Sequence, residues 1–496
     1  MALRFGTDGV RGVANVELTP ELVVALGRAA GRVVIPMTGD RRCLVGRDTR
    51  RSGPLLAAAL AAGLASEGVD VVDLGIIPTP GVAALAAADR VAGVVISASH
   101  NAFADNGIKV FGPGGIKLDD DAEARLEAEL DAVLAGPGSR STSGTGAGPG
   151  AGAGSGAGAG PGAGPGAGAG PGARGDRRPS GADVGVVAAD PEGLDRYRRD
   201  LVAGLEGRLL EGVRVVVDCA HGAAVVTAPL VLAAAGADVV EVIGAAPDGT
   251  NINAGCGSTA PEPLAAAVVA HRADAGLAFD GDADRVIAVD ETGAVVDGDR
   301  LLALFATDLA QRDRLAGRTV VVTVMTNLGF HHAMAARGVA VHQTPVGDRS
   351  VLAALDRSGW SLGGEQSGHL IFRDLATTGD GVLAGLLLVD LVARTGTPLS
   401  VLAAGAMDRL PQVLRNVRVA DRHGLEGAAE VWSAVGAVER ELGGRGRVLI
   451  RPSGTEPQVR VMVEAPTDAE AEGAAARISD AVEAAMGRAA GGPSGG

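Results

Sequence analysis

Three carboxylates stand at alternate positions in Asp280-Gly281-Asp282-Ala283-Asp284-Arg285, directly after the apolar run Ala275–Phe279. Side chains at i, i+2 and i+4 on an extended backbone project to one side, and the small residues between them leave room for an ion. Hard oxygen donors with no histidine or cysteine favour Mg²⁺, and without a cation three adjacent carboxylates repel one another. A calcium EF-hand loop would place Glu291 at position twelve, but it needs glycine at position six, where Arg285 stands, and the flanks read as strands. A second group of reactive types follows the β-branched run Val94–Ile96: Ser97, Ser99, His100, Asn101 and, ten residues beyond Ser99, Lys109. Hydroxyl, imidazole and ammonium at the C-terminal end of a strand are where open α/β sheets carry chemistry. No Gly-x-Ser-x-Gly elbow surrounds Ser99 and no Walker sequence supplies a nucleotide site, so neither a hydrolase triad nor direct charging by nucleotide follows.

Two further loops complete the set. Arg451-Pro452-Ser453-Gly454-Thr455-Glu456-Pro457-Gln458-Val459-Arg460 has the residue types of a phosphate cradle, with two hydroxyls and a glycine between arginines. Gly363-Gly364-Glu365-Gln366-Ser367-Gly368-His369 suits hydrogen bonding to vicinal sugar hydroxyls or an ammonium, and Pro345-Val346-Gly347-Asp348-Arg349 adds a charged turn. Near the N-terminus, Phe5-Gly6-Thr7-Asp8-Gly9-Val10-Arg11-Gly12 reads as a Gly-rich loop in which Arg11 is a planar cation suited to phosphate. Together these residues call for metal-assisted phosphoryl transfer through a phosphorylated serine.

The elements that must hold these loops are α/β in pattern. Strands Cys43–Gly46, Val69–Leu74 and Val91–Ile96 alternate with a helix that Thr19-Pro20-Glu21 opens with a cap, a helix Leu55–Gly68 and one that starts at Pro78-Thr79-Pro80, so a mostly parallel sheet is expected. At 496 residues the chain exceeds one core, and its 47% apolar content is built from Ala, Val and Leu, with aromatics at only 2%. The reading divides it into 1–135, 183–298, 299–407 and 408–488, with a Gly/Ala/Pro insertion at 136–182 expected to be disordered and a flexible tail at 489–496. A net charge of −15 argues against a general polyanion binder, so no nucleic-acid partner is expected. Three cysteines in no metal spacing suit a reducing compartment, and no apolar run approaches a membrane span or a signal segment, so a cytoplasmic protein with no membrane partner is expected.

In this order, these motifs resemble those of the α-D-phosphohexomutase superfamily, from about residue 3 to residue 487 apart from the insertion. The finer details, including Gln366 where phosphomannomutase/phosphoglucomutase relatives usually carry methionine, resemble its glucosamine-phosphate branch. The resemblance implies three related α/β domains with mixed sheets plus a smaller C-terminal α+β domain around a central cleft, each giving one loop. It implies phosphorylation of Ser99 rather than Ser97, and one Mg²⁺ per subunit held by Ser99, Asp280, Asp282 and Asp284. Lys109 would handle the hydroxyl proton, with Arg11 and His369 in support. Glu365 and Ser367 would hold the sugar, with Arg285, Gly347, Asp348 and Arg349 also on the substrate; Arg451, Ser453, Gly454, Thr455 and Arg460 would hold the non-reacting phosphate. The implied reaction is interconversion of glucosamine 6-phosphate and glucosamine 1-phosphate through a 1,6-bisphosphate that is both intermediate and activator, supplying UDP-N-acetylglucosamine synthesis, in a monomer or homodimer; the alternative is a phosphomannomutase/phosphoglucomutase activity. The chain departs from the usual pattern at Ala102, where proline is usual, and at the insertion.

Overall fold

The computed structural model describes residues 9–136, 178–453 and 456–487. Most of the Gly/Ala/Pro insertion, the tail, residues 1–8, Gly454 and Thr455 lie outside the described residues. Four sheets are formed. The first has strands β1 (Val10–Val13), β2 (Arg42–Arg47), β3 (Asp70–Ile76), β4 (Ala92–Ile96), β5 (Asp105–Phe111) and β6 (Val187–Ala189), in spatial order β1-β5-β4-β2-β3-β6. The second has β7 (Arg214–Asp218), β8 (Asp238–Ile243), β9 (Ala275–Phe279), β10 (Val286–Asp290) and β11 (Val295–Val296). The third has β12 (Thr319–Thr323), β13 (Ala340–Thr344), β14 (Leu362–Gly364) and β15 (Leu370–Phe372), and the small fourth has β16 (Gln412–Arg418), β17 (Arg447–Pro452) and β18 (Gln458–Glu464).

Helices start where the local chemistry directs. Thr19 caps Pro20–Val33 by accepting from the Leu22 amide at 3.3 Å, and Asp119 caps Asp120–Ala135 by accepting from Ala122 at 2.8 Å. Each cap satisfies an amide with no partner inside its helix.

Two expectations change, and the sheets are mixed, as the resemblance implies, rather than mostly parallel, as the strand–helix alternation alone suggests. Each functional loop joins an antiparallel pair: Ser97–Ala104 links β4 to β5, Asp280–Arg285 links β9 to β10, Glu365–His369 links β14 to β15, and Ser453–Pro457 links β17 to β18. The strand leaving each loop pairs back onto the strand entering it, so both ends of the loop are anchored. Val10–Val13, read as part of a loop, is an edge strand whose Arg11 pairs with Gly107 of β5. Val187–Ala189, assigned by the sequence to the second unit, pairs with β3 and belongs to the first sheet.

The cores are partly separate and partly joined. One apolar cluster runs through the first three units, from Leu44 and Val95 through Leu277 and Phe279 to Phe305 and Leu388. The first unit also keeps its own around Leu26, Leu60, Val94 and Ile108, and the C-terminal unit keeps its own around Val417, Val461 and Ile478. Short βα connections hold the three sheets close enough for their helices to interleave. The fourth unit joins the third through polar groups. The Asn327 side chain accepts from the Leu410 amide and donates to its carbonyl, both at 3.0 Å. The fully buried Glu464 accepts from the Leu328 amide and Arg447 Nε, both at 2.8 Å.

Candidate active site

Ser99 ends the turn after β4 in the left-handed region, φ +53°, and is 1% exposed. Its Oγ donates to Asp280 Oδ2 at 2.5 Å across the join of the first two units. A Cβ on Gly281 would sit 2.5 Å from the Ser99 carbonyl oxygen, so that glycine permits the two loops to touch. Ser97 points the other way, its Oγ donating to Asp48 Oδ2 at 2.6 Å while accepting from the Ser99 amide at 2.9 Å. His100 Nδ1 lies 3.4 Å from Ser99 Oγ and 3.2 Å from Arg285 Nη1. Burial, followed by the Arg285 and Arg11 charges, lowers the pKa of His100.

Asp280, Asp282 and Asp284 are buried, with candidate ligand oxygens all within 4.8 Å of one another. Lys109, on β5 and 2% exposed, brings Nζ to 2.7 Å from Asp282 Oδ2 and 3.2 Å from Asp284 Oδ2. Thr79 donates both its hydroxyl, at 2.6 Å, and its amide, at 3.0 Å, to Asp282. Burial and repulsion from Asp284 and Asp282 push the Asp280 carboxyl up. Burial works the same way on Asp284, but Lys109, His369 and Arg285 outweigh it and hold that carboxyl well down.

The cluster fits a hard divalent cation. Asp282 Oδ1 is buried with no hydrogen-bond partner among the described residues, and Asp284 Oδ1 faces Arg285 Nε at 3.7 Å and His369 Nδ1 at 3.8 Å, beyond hydrogen-bond reach. Buried acceptor oxygens left without donors are what a metal satisfies.

The third unit closes on this cluster. His369, 2% exposed, sits between Asp284 and Asp348, with Nε2 3.5 Å from Asp348 Oδ2 and accepting from the Gly379 amide at 3.2 Å. Burial lowers its pKa, but Asp284 and Asp348 outweigh that and raise it. Lys117, from the first unit, pairs with Asp348. Gly347, at φ +120°, donates its amide to Glu365 Oε1 at 3.1 Å, which links the charged turn to the sugar-type loop; Ser367 is exposed at that loop's tip. Arg349, expected on the substrate, is turned onto Asp120 Oδ1 at 2.8 Å and onto Glu123, tying the third unit to the first. Gln366 reaches away toward Gln412 of the fourth unit, Nε2 to Oε1 3.5 Å.

In the fourth unit, Arg451 and Arg460 are directly opposite each other on β17 and β18. Like charges in a cross-strand pair destabilise a sheet by roughly 0.2–1 kcal/mol, and an anion between them reverses that. Burial, together with the Arg460 charge, lowers the Arg451 pKa, and Arg460 Nε is buried without a hydrogen-bond partner among the described residues. Ser453 is 4% exposed and begins the loop. Sequence reasoning assigned no role to Asp48, Arg50, Thr79 or Asn253, all of which touch the reactive loops; the one local signal was Arg47-Asp48-Thr49-Arg50 after a buried strand.

Models of the four domains described as phosphoglucomutase/phosphomannomutase, alpha/beta/alpha domains I, II and III and C-terminal domain, match residues 2–135, 195–293, 297–410 and 414–481. The chain is 51% identical over 495 residues to a phosphoglucosamine mutase of Frankia alni, covering 98% of this chain and 99% of that one. Among solved structures it is similar to a phosphoglucomutase/phosphomannomutase family protein of Burkholderia thailandensis, at TM-score 0.75, 25% identity and 97% coverage of each chain. It also shares its fold with an Aspergillus fumigatus N-acetylphosphoglucosamine mutase in complex with GlcNAc-6P and magnesium, at TM-score 0.63, 17% identity and coverage of 98% and 96%.

Proposed function

We propose that this chain, which belongs to the phosphoglucomutase/phosphomannomutase family, interconverts glucosamine 6-phosphate and glucosamine 1-phosphate with Ser99 as the phosphate carrier. The observation that carries the reading is Ser99 Oγ held 2.5 Å from Asp280 inside a buried three-carboxylate cluster. In the forward direction the phosphoseryl O–P bond breaks as the free sugar hydroxyl oxygen forms its own bond to phosphorus, giving a 1,6-bisphosphate. The bisphosphate turns in the cleft and its other phosphate returns to Ser99. Lys109 holds and passes the hydroxyl proton, and Arg11 and His369 orient the transferring group. A Mg²⁺ held by Ser99, Asp280, Asp282 and Asp284 supplies charge neutralisation on the transferring phosphoryl when bound. Glu365 and Ser367 hold the sugar, with Arg285, Gly347, Asp348 and Arg349 shaping that side, while Arg451, Ser453, Gly454, Thr455 and Arg460 hold the phosphate that does not react. Positioning provides most of the rate, because the transfer needs little covalent chemistry from the protein. The proposed setting is the cytoplasm; no single described helix is long and apolar enough to cross a membrane.

The test is a substrate panel on Mg²⁺-loaded, phosphorylated protein: glucosamine 6-phosphate turns over faster than glucose or mannose 6-phosphate. A reversed order replaces this reading by a phosphomannomutase/phosphoglucomutase activity. Ser99→Ala abolishes turnover, and intact-mass measurement finds one phosphate on the wild type and none on the variant. Full activity of Ser99→Ala sinks the proposal.

A further inference from the structure

The loop that carries Ser99 is gripped by its carbonyls from two units at once. Arg50, 1% exposed, engages all five guanidinium N–H groups. Nε donates to Asp48 Oδ2 at 2.9 Å, Nη2 to the carbonyls of Ser99 at 2.9 Å and Asn101 at 2.8 Å, and Nη1 to Asp105 at 3.0 Å and to Ala102. From the second unit, Asn253 Nδ2 donates to the same two carbonyls, Ser99 at 2.9 Å and Asn101 at 3.1 Å. Asn253 is fixed in turn by its own amide, which donates to the Ala220 carbonyl at 2.9 Å. The Asp48 carboxylate that orients Arg50 also holds Ser97 Oγ, which accepts from the Ser99 amide. Among the described residues, each hydrogen bond to the Ser99 backbone therefore leads back to Arg50, Asp48 or Asn253.

That grip has a task. A non-glycine residue at positive φ persists only where its surroundings over-determine it. Position 102 is alanine, so no proline ring stiffens the turn, and the guanidinium holds that carbonyl directly. Asn253 and Asp280 both belong to the second unit, so the same body that receives Ser99 Oγ also clamps the Ser99 carbonyl.

We propose that Arg50 and Asn253 are positioning residues for phosphoryl transfer at Ser99, acting through the Ser99 and Asn101 carbonyls to hold the serine hydroxyl on the metal-binding carboxylates. The inference rests on reading Ser99 as the phosphate carrier. It requires that loosening the grip slows transfer without weakening sugar-phosphate binding.

The experiment compares the full-length wild type with Asn253→Ala, Asn253→Asp and Arg50→Lys for kcat, KM, thermal melting and phosphate content by intact mass. Asn253→Asp conserves shape but aims a carboxylate at two carbonyl oxygens where an amide donated. Purely structural packing would leave it near wild type, whereas the clamp predicts a deeper loss than alanine. Expected are falls in kcat of about tenfold for Asn253→Ala and about 100-fold for Asn253→Asp and Arg50→Lys, with KM within about twofold. If Arg50→Lys does not fold, the two Asn253 variants decide. Wild-type kcat in both Asn253 variants, each carrying phosphoserine, overturns the proposal, as does a rise in KM at unchanged kcat. A wild type that turns over without any phosphate at Ser99 defeats the phosphate-carrier reading and this inference with it.

Discussion

Around Ser99, buried charges meet opposite charges, Lys109 from β5 against Asp282 and Asp284 and Arg50 against Asp48 within one turn, and His369 lies between Asp284 and Asp348. At the far loop, Arg451 faces Arg460 across two strands. The first region already holds its charges in buried pairs, with Asp282 Oδ1 and Asp284 Oδ1 left for a cation, and the loops that form it sit on units joined by one apolar cluster. The second carries like-charge repulsion with no opposing carboxylate bonded to either arginine among the described residues, on a unit with its own core joined to the rest through Asn327, Glu464 and Arg447. On the proposed function, the difference separates two tasks. Groups that transfer phosphate must already be in place, since reorganising them during reaction slows it. Groups that only hold a phosphate gain most if the anion is what relieves them.

The contrast is broken most severely at the metal cluster. Asp282→Ala removes an oxygen with no hydrogen-bond partner and leaves Lys109 and Thr79 without their shared acceptor. Turnover is expected to fall by about 10³-fold or more, as does wild-type turnover on chelation of divalent metal, measured by steady-state rate with and without added Mg²⁺. Lys109 keeps Asp284 at 3.2 Å and one carboxylate fewer repels Asp280, so chemical denaturation is expected to find a stability loss well short of a broken buried ion pair.

A smaller effect of a different kind is expected at the arginines. Arg451→Ala or Arg460→Ala removes a charged hydrogen-bond donor set worth about 1.5–3 kcal/mol, so KM rises roughly 10–100-fold while kcat changes less. Removing one charge also relieves the cross-strand repulsion, so the ligand-free variant melts no lower than the wild type. Equal falls in kcat from both regions would erase the distinction between them.

The smallest effect tests the edge of the third unit beside its join to the fourth. Asp299 is buried and accepts from the Asn327 amide at 2.9 Å, and burial pushes its carboxyl up to about 7 from an ordinary 3.8. Between those two values the folded state keeps a proton that the unfolded chain has released. Stability therefore falls as pH rises through that window and levels off above about 7. Asp299→Asn is expected to flatten that slope and melt a few degrees higher at pH 8, followed by thermal unfolding across pH.

Much of the site was legible because its chemistry is written locally. The three aspartates at alternate positions after Phe279, the two hydroxyl-rich loops and the arginines at 451 and 460 each suit a ligand by type and spacing alone. What spacing concealed was the partner of each group. Asp280 lies 181 positions from Ser99, and Asn253 lies 152 from Asn101, and no local pattern encodes those distances. The antiparallel return after each loop was equally hidden, since β-branched runs such as Ile108–Phe111 or Val286–Val289 mark a strand without marking its neighbour.

The α/β alternation, the capped start at Thr19, the acidic triad and the order of the loops are readable from local sequence, because periodicity, capping chemistry and charge act over a few residues. Packing alone settles that the Ser99 loop meets the Asp280–Asp284 loop, that one apolar cluster joins three units, that Arg349 is bound to Glu123 and Gln366 points toward Gln412, and that Arg50 closes around the Ser99 loop. Those outcomes depend on which buried surfaces and unpaired donors meet when distant segments pack, and a guanidinium finds four carbonyls only after the chain has brought them to it.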